Sequence, residues 1–77
     1  MYPETVSEIL VFKTNLLHDK DVESVALLLN AHTAIRHWNI DQSDVDHVLR
    51  VEADHLTPKD VIAIVQNAGF LCEELPD

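Results

Sequence analysis

The hydrophobic period of the chain changes from one segment to the next, and the order of these periods restricts the fold more than any single residue does. Apolar residues alternate with a period of two over 8–16 and recur at helical spacing over 19–32. Two more alternating segments, 35–41 and 47–53, are joined by a polar turn. A second helical segment and a short strand over 70–75 follow. The order β-α-β-β-α-β predicts an α+β, ferredoxin-like fold, with a four-stranded antiparallel sheet and two helices on one face.

The second helical segment has the clearest start and stop signals in the sequence. Thr57 stands at the predicted N-cap, Pro58 at the first helical position and Asp60 at the third. Gly69 follows the last apolar residue of the helical pattern, where a left-handed C-terminal cap is favoured. These signals predict a helix between Thr57 and Gly69.

The alternating segments also predict which side chains face the helices, because successive side chains of a strand point to opposite faces of a sheet. The predicted core-facing residues are Leu10, Phe12, Thr14, Leu16, Trp38, Ile40, Leu49, Val51 and Ala53. The opposite, open face of the sheet carries Ile9, Val11 and Val48 among charged residues. We therefore predict an apolar strip on the open face.

The composition favours one small globular domain. The chain has 77 residues, of which 47% are hydrophobic, and a chain of this size buries about 60% of its unfolded surface. We predict a single domain over 8–75 after a flexible lead-in over 1–7. No apolar run approaches the ~20 residues of a membrane span, and the first residues do not resemble a signal peptide. The expectation is a soluble, cytoplasmic protein without a membrane partner.

The charge balance restricts the partners of the chain. The 14 acidic residues outnumber the 5 basic ones, which gives a net charge of −9. Nucleic acid is excluded as a predicted partner, since phosphate contacts need clustered Lys and Arg. A basic protein or a cationic ligand is favoured instead. No carboxylate pair, Ser-His-Asp order or Gly-rich phosphate loop stands out, so an enzyme is not expected.

Four short segments carry a resemblance to a known family. They are Phe12-Lys13-Thr14-Asn15, Ile35 with Trp38 and Ile40, Leu49-Arg50-Val51-Glu52, and the stretch from Leu56-Thr57 through Val61-Ile62 to Asn67-Ala68-Gly69-Phe70. In this order and spacing, 8–75 resembles the heavy-metal-associated domains of copper chaperones and metal-transporting ATPases. The resemblance implies the βαββαβ fold and a metal loop of the type Cys-x-x-Cys between the first strand and the first helix.

The chain departs from that family at the metal loop, because His18 and Asp21 stand where the two cysteines would be. Two thiolates suit Cu(I), which is a soft ion, whereas one imidazole and one carboxylate favour Zn(II) or Ni(II) and bind weakly as a pair. Cu(I) is therefore disfavoured. His18 and Asp21 are candidate metal ligands, and the alternative is an exposed loop histidine beside an aspartate in the first helical turn.

The predicted topology brings the loop before the first helix, the turn between the second and third strands, and the loop before the fourth strand to one end of the sheet. Cys72, the only cysteine, begins the fourth strand near this end. A metal site of His18, Asp21 and Cys72 is one hypothesis. The alternative for Cys72 is a small buried hydrophobe.

Two functions are compatible with these features. The first is a small binding domain of the metal-trafficking type, with a degenerate site that binds a divalent cation weakly at most. The alternative is a protein-interaction or homodimerisation module that uses the open sheet face. A metal titration separates the two, and sedimentation tests for a homodimer.

Overall fold

The structure is a computed structural model, and it describes residues 8–75. Within these residues the chain forms β1 (Glu8–Thr14), α1 (Asp19–Ala31), β2 (Ile35–Asp41), β3 (Val48–Ala53), α2 (Pro58–Asn67) and β4 (Cys72–Glu74). The predicted lead-in over 1–7 lies outside the described residues. The element order is the one that the hydrophobic periods predict.

The four strands form one antiparallel sheet in the order β2-β3-β1-β4, and both helices lie on one face of it. β1 lies inside the sheet, where Phe12 pairs with Leu49 of β3 and Thr14 pairs with Cys72 of β4. The predicted ferredoxin-like fold is confirmed. β1 leads directly into the loop before α1, so the centre of the sheet positions that loop.

The hydrophobic core lies between the sheet and the helices. The largest fully buried side chains are Phe12, Leu16, Val25, Leu29, Leu49, Val51, Val61 and Val65. Burying one such aliphatic side chain contributes about 1.5–3 kcal/mol. Trp38, predicted to face the core, is half-buried, and its indole Nε1 donates a hydrogen bond to Asn30 Oδ1 at 2.8 Å. The core side predicted for β1 and β3 is confirmed.

The ends of α2 follow their sequence signals. The Thr57 hydroxyl accepts a hydrogen bond from the Asp60 backbone N–H, and the Asp60 carboxylate accepts one from the Thr57 backbone N–H at 3.0 Å. The backbone N–H and the hydroxyl of Thr57 both donate to the Asp60 carboxylate, and these two bonds lower the pKa of Asp60. At the other end Gly69 has φ +96°, and the Phe70 N–H reaches the Val65 carbonyl. A capping box and a left-handed cap therefore bound α2.

The structure corrects three details. β1 ends at Thr14 rather than at residue 16, and β4 begins at Cys72 rather than at residue 70. Val48, predicted on an exposed apolar strip, is only 5% exposed. Asp41 pairs with Val48 on one side, and the register of β1 with β3 places Lys13 on the other. Val48 therefore lies between polar side chains. Of the other two residues in the predicted apolar strip, Ile9 is exposed and Val11 is half-buried.

Candidate functional site at the loop end

Three loops meet at one end of the sheet, as predicted: residues 15–18, 42–47 and 68–71. We call this surface the loop end. The hydroxyl of Thr14 donates to the His47 carbonyl at 2.6 Å, and its backbone N–H donates to the Asp46 carbonyl at 3.0 Å. The side-chain oxygen of Asn15 accepts from the Leu71 N–H at 2.8 Å. Hydrogen bonds with Thr14, the last residue of β1, and with Asn15 therefore hold the other two loops in place.

His18 and Asp21, the predicted metal ligands, lie at the N-terminus of α1. His18 is the N-cap residue, and its backbone N–H donates to Asp21 Oδ2 at 3.1 Å. The Asp21 backbone N–H in turn donates to the His18 carbonyl at 2.9 Å. The imidazole of His18 is exposed. The Asp21 carboxylate thus occupies the same capping position in α1 that the Asp60 carboxylate occupies in α2.

Cys72, the third candidate ligand, lies at the start of β4 on the helix-facing side of the sheet. Its side chain is 7% exposed. Burial raises the pKa of its thiol to about 11, because a low-dielectric surrounding disfavours the thiolate. At neutral pH Cys72 is therefore a protonated, apolar group, although a metal is bound by the thiolate form.

The candidate ligands do not form a larger cluster. Over residues 8–75, no group of three or more His, Cys, Asp or Glu side chains is placed to hold a metal ion. His18 and Asp21 are neighbours through the helix cap, and Cys72 belongs to a separate strand. The assignment of His18 and Asp21 as ligands of a divalent ion stays a prediction.

The turn between β2 and β3 uses its acidic side chains to hold its own backbone. Asp41 Oδ1 accepts hydrogen bonds from the hydroxyl and the backbone N–H of Ser43, which lower the pKa of Asp41. Asp44 Oδ1 accepts from the Asp46 N–H at 2.9 Å. His47 closes the turn with φ +43°, and its buried Nδ1 has no hydrogen-bond partner among the described residues. These bonds support the interpretation of the acids as turn residues.

Each of the three loops also exposes one large aliphatic side chain. Leu17 is 52% exposed, Val45 is 92% exposed and Leu71 is 69% exposed. Sequence reasoning missed this set, because only Val45 is a single apolar residue in an otherwise polar loop, whereas Leu17 follows Leu16 and Leu71 follows Phe70. The loop end therefore combines apolar contact points with acidic side chains.

A surface cavity of about 290 Å³ lies at the loop end between β1 and β4. It is lined by Lys13, Thr14, Asn15, Leu71, Cys72 and Glu73. No sequence pattern indicates this cavity, because its walls come from chain segments more than 50 residues apart.

None of the helices within 8–75 has the length and apolar character needed to cross a membrane.

The sequence matches no protein-family model and no curated protein. Solved structures do match. The yeast copper transporter domain Ccc2A, solved in solution in the apo and Cu(I)-loaded states, aligns with a TM-score of 0.78 at 19% identity, over 94% of this chain and 99% of that one. The Cu(I)-loaded first domain of the human copper chaperone for SOD1, CCS, aligns with a TM-score of 0.77 at 16% identity, over 90% and 93% of the two chains.

A third structure, the apo form of the HMA domain of a copper chaperone for superoxide dismutase, aligns with a TM-score of 0.79 at 14% identity. The alignment covers 99% of this chain and 74% of that one. These similarities extend over nearly the whole chain. The chain therefore has the fold of the heavy-metal-associated domains of copper transporters and copper chaperones.

Proposed function

We propose that this chain is a binding domain of the metal-trafficking type that does not carry Cu(I) and acts by contacting another protein with its loop end. The first part of the proposal is supported by the folds that resemble it, which belong to a copper transporter and copper chaperones. The second part is supported by Leu17, Val45 and Leu71, which are exposed on three loops held together by hydrogen bonds. Such a domain needs no catalytic group, and its single cysteine fits a reducing compartment such as the cytoplasm.

One observation carries the proposal: the hydrogen bond from the His18 backbone N–H to the Asp21 carboxylate. A position that the family resemblance assigns to a thiolate here holds a capping group for α1. With a hard oxygen at one position and a borderline nitrogen at the other, the loop lacks the soft donor pair that Cu(I) prefers. The loop before α1 then serves to start the helix and to present Leu17.

Competition for Cu(I) tests the metal part of the proposal. The protein is mixed with Cu(I) and a bicinchoninate-type chelator, and we expect the chelator to keep the metal. Stoichiometric retention of Cu(I) by the monomer would overturn this part. Sizing of the mixture identifies a dimer bridged by metal through Cys72, which also counts against it.

Comparative capture tests the contact part. The tagged protein is compared with a variant in which Leu17, Val45 and Leu71 are changed to Ser, using lysate of the native cell. We expect a partner that the parent binds and the variant does not. Leu27→Ser is the matched control, because Leu27 is 75% exposed on α1, outside the three loops. A partner lost equally with Leu27→Ser, or kept by the loop variant, contradicts a contact through the loop end.

A weak divalent site at His18 and Asp21 is the second candidate function, favoured by the proximity of the two residues in the helix cap. Zn(II) or Ni(II) binding to such a site should weaken in both His18→Ala and Asp21→Asn. Equal binding by both variants and the parent would exclude it. The open sheet face offers a homodimer a smaller apolar surface than predicted, because Val48 is buried and Ile9 is exposed.

A further inference from the structure

The cavity between β1 and β4 has a chemistry that the loop before α1 does not share. Its volume of about 290 Å³ is at the lower end of the range for small-molecule pockets, about 300–1,000 Å³. It therefore has room for one long side chain rather than a cofactor. Neither His18 nor Asp21 lines it.

The neutral polar groups of the lining already bond within the chain. The Thr14 hydroxyl donates to the His47 carbonyl at 2.6 Å and accepts from the Leu16 N–H at 3.2 Å. The side-chain oxygen of Asn15 accepts from the Leu71 N–H. These acceptors are therefore already used within the chain. The charged groups and the apolar walls determine which ligand the cavity binds.

Of the two charged residues at the rim, Glu73 is the one left without a partner. The Lys13 ammonium lies 3.8 Å from an Asp46 carboxylate oxygen, which balances part of its charge. Within residues 8–75 the Glu73 carboxylate has no hydrogen bond or ion pair, although Lys13 is its neighbour across the strands. The rim thus favours a cation beside Glu73.

The walls favour an aliphatic group. Leu71 is 69% exposed and supplies the apolar wall, whereas Cys72 lines the cavity but is only 7% exposed. An aliphatic stem that ends in a positive charge matches an apolar wall with a carboxylate at its rim. The net charge of −9 adds a general attraction for a basic partner.

We propose that this cavity receives an arginine or lysine side chain of a partner protein. The stem packs against Leu71, and the cation pairs with Glu73. This inference rests on the proposed function, since it specifies the chemistry of the partner that contacts the loop end.

A peptide titration followed by ¹H–¹⁵N NMR tests the inference. The probe is acetyl-Gly-Arg-Gly-amide at low salt, and its control is the same peptide with citrulline, which keeps the shape and removes the charge. We expect the amide signals of 13–15 and 71–73 to shift with the arginine peptide and much less with citrulline. Shifts located elsewhere, equal shifts with both peptides, or no shift with the arginine peptide would overturn the inference.

Two matched variants locate the charge. Glu73→Gln should weaken binding of the arginine peptide about two- to fivefold, which is the contribution of an exposed ion pair. Glu74→Gln removes the same charge one residue away, does not line the cavity and should bind as the parent does. Equal weakening by both variants would mean that the peptide is attracted only by the net negative charge. That result would overturn the proposal that the cation pairs with Glu73. Cu(I) competition and capture by the loop end do not depend on Glu73, so this result leaves the proposed function standing.

Discussion

The Asp21 carboxylate accepts a hydrogen bond from the backbone N–H of His18, with 3.1 Å between Oδ2 and N. The same relation holds in α2, where the Asp60 carboxylate accepts from the backbone N–H of Thr57 at 3.0 Å. The two helices therefore begin with the same carboxylate cap. In α2 the Thr57 hydroxyl also accepts a hydrogen bond from the Asp60 N–H, at 3.3 Å.

Asp21 should consequently contribute to stability without any metal. Asp21→Ala removes the bond to the His18 N–H and a favourable charge at the start of α1, and we expect it to lower the free energy of unfolding by about 0.5–1 kcal/mol. Urea denaturation in the presence of a chelator measures this. Asp19→Ala is the control, because Asp19 lies in the same first turn and should show only the smaller charge effect. If the chelator removes the difference between Asp21→Ala and the parent, Asp21 acts through a metal instead.

The cap of α2 should make stability depend on acidic pH. Hydrogen bonds from Thr57 lower the pKa of Asp60 below its ordinary value. The stabilisation is therefore present above the ordinary carboxyl pKa and is lost as the pH falls through the lowered pKa of the folded protein. The urea concentration at the midpoint of unfolding should decrease as the pH is lowered from neutral to acidic. This decrease should be smaller in Asp60→Asn than in the parent. An identical acid slope in both proteins would show that the bond to Thr57 does not affect stability.

The thiol of Cys72 should react slowly in the folded protein. Burial raises its pKa to about 11, so roughly one molecule in a thousand holds the thiolate at pH 8, against about a quarter for a free cysteine. From the thiolate fractions alone, alkylation by iodoacetamide should be about 250-fold slower in the native protein than in urea. The native rate should rise about tenfold per pH unit up to the pKa. Equal rates in the two states would place the thiol in solvent.

The parts of the fold that the sequence predicts well depend on neighbouring residues. Thr57, Pro58 and Asp60 start α2 through contacts within four residues, and Gly69 ends it in the same way. The buried side of β1 is also predictable, because apolar residues at every second position of a strand all lie on the same face of the sheet.

The parts that escaped prediction depend on contacts between distant segments. Val48 is flanked by Lys13 of β1, 35 positions earlier, and the cavity forms where Asn15 meets Leu71. The position of His18 and Asp21 at the start of α1 was predictable, whereas their assignment as metal ligands stays a prediction. The cap that they form was not, because histidine is not among the residues that favour an N-cap.

Placing two thiols in the loop before α1 should allow this chain to bind Cu(I), as the Cu(I)-loaded domains of similar fold do. The variant with both His18→Cys and Asp21→Cys should retain Cu(I) stoichiometrically against a bicinchoninate-type chelator, because two thiolates three residues apart offer the soft donor pair that Cu(I) prefers. It should also lose the Asp21 cap, and thus about 0.5–1 kcal/mol of stability in the metal-free form.

The matched control is the double variant with His18→Cys and Asp19→Cys. It contains the same number of thiols, but at adjacent positions. It should retain less Cu(I), since residues next to each other in a helical turn do not face the same side. Circular dichroism shows whether each variant is folded. If the variant with cysteines at positions 18 and 21 is folded and leaves Cu(I) with the chelator, the loop differs from a copper loop in its backbone as well as in its two side chains. The failure to retain Cu(I) would then be a property of the whole stretch over 15–22.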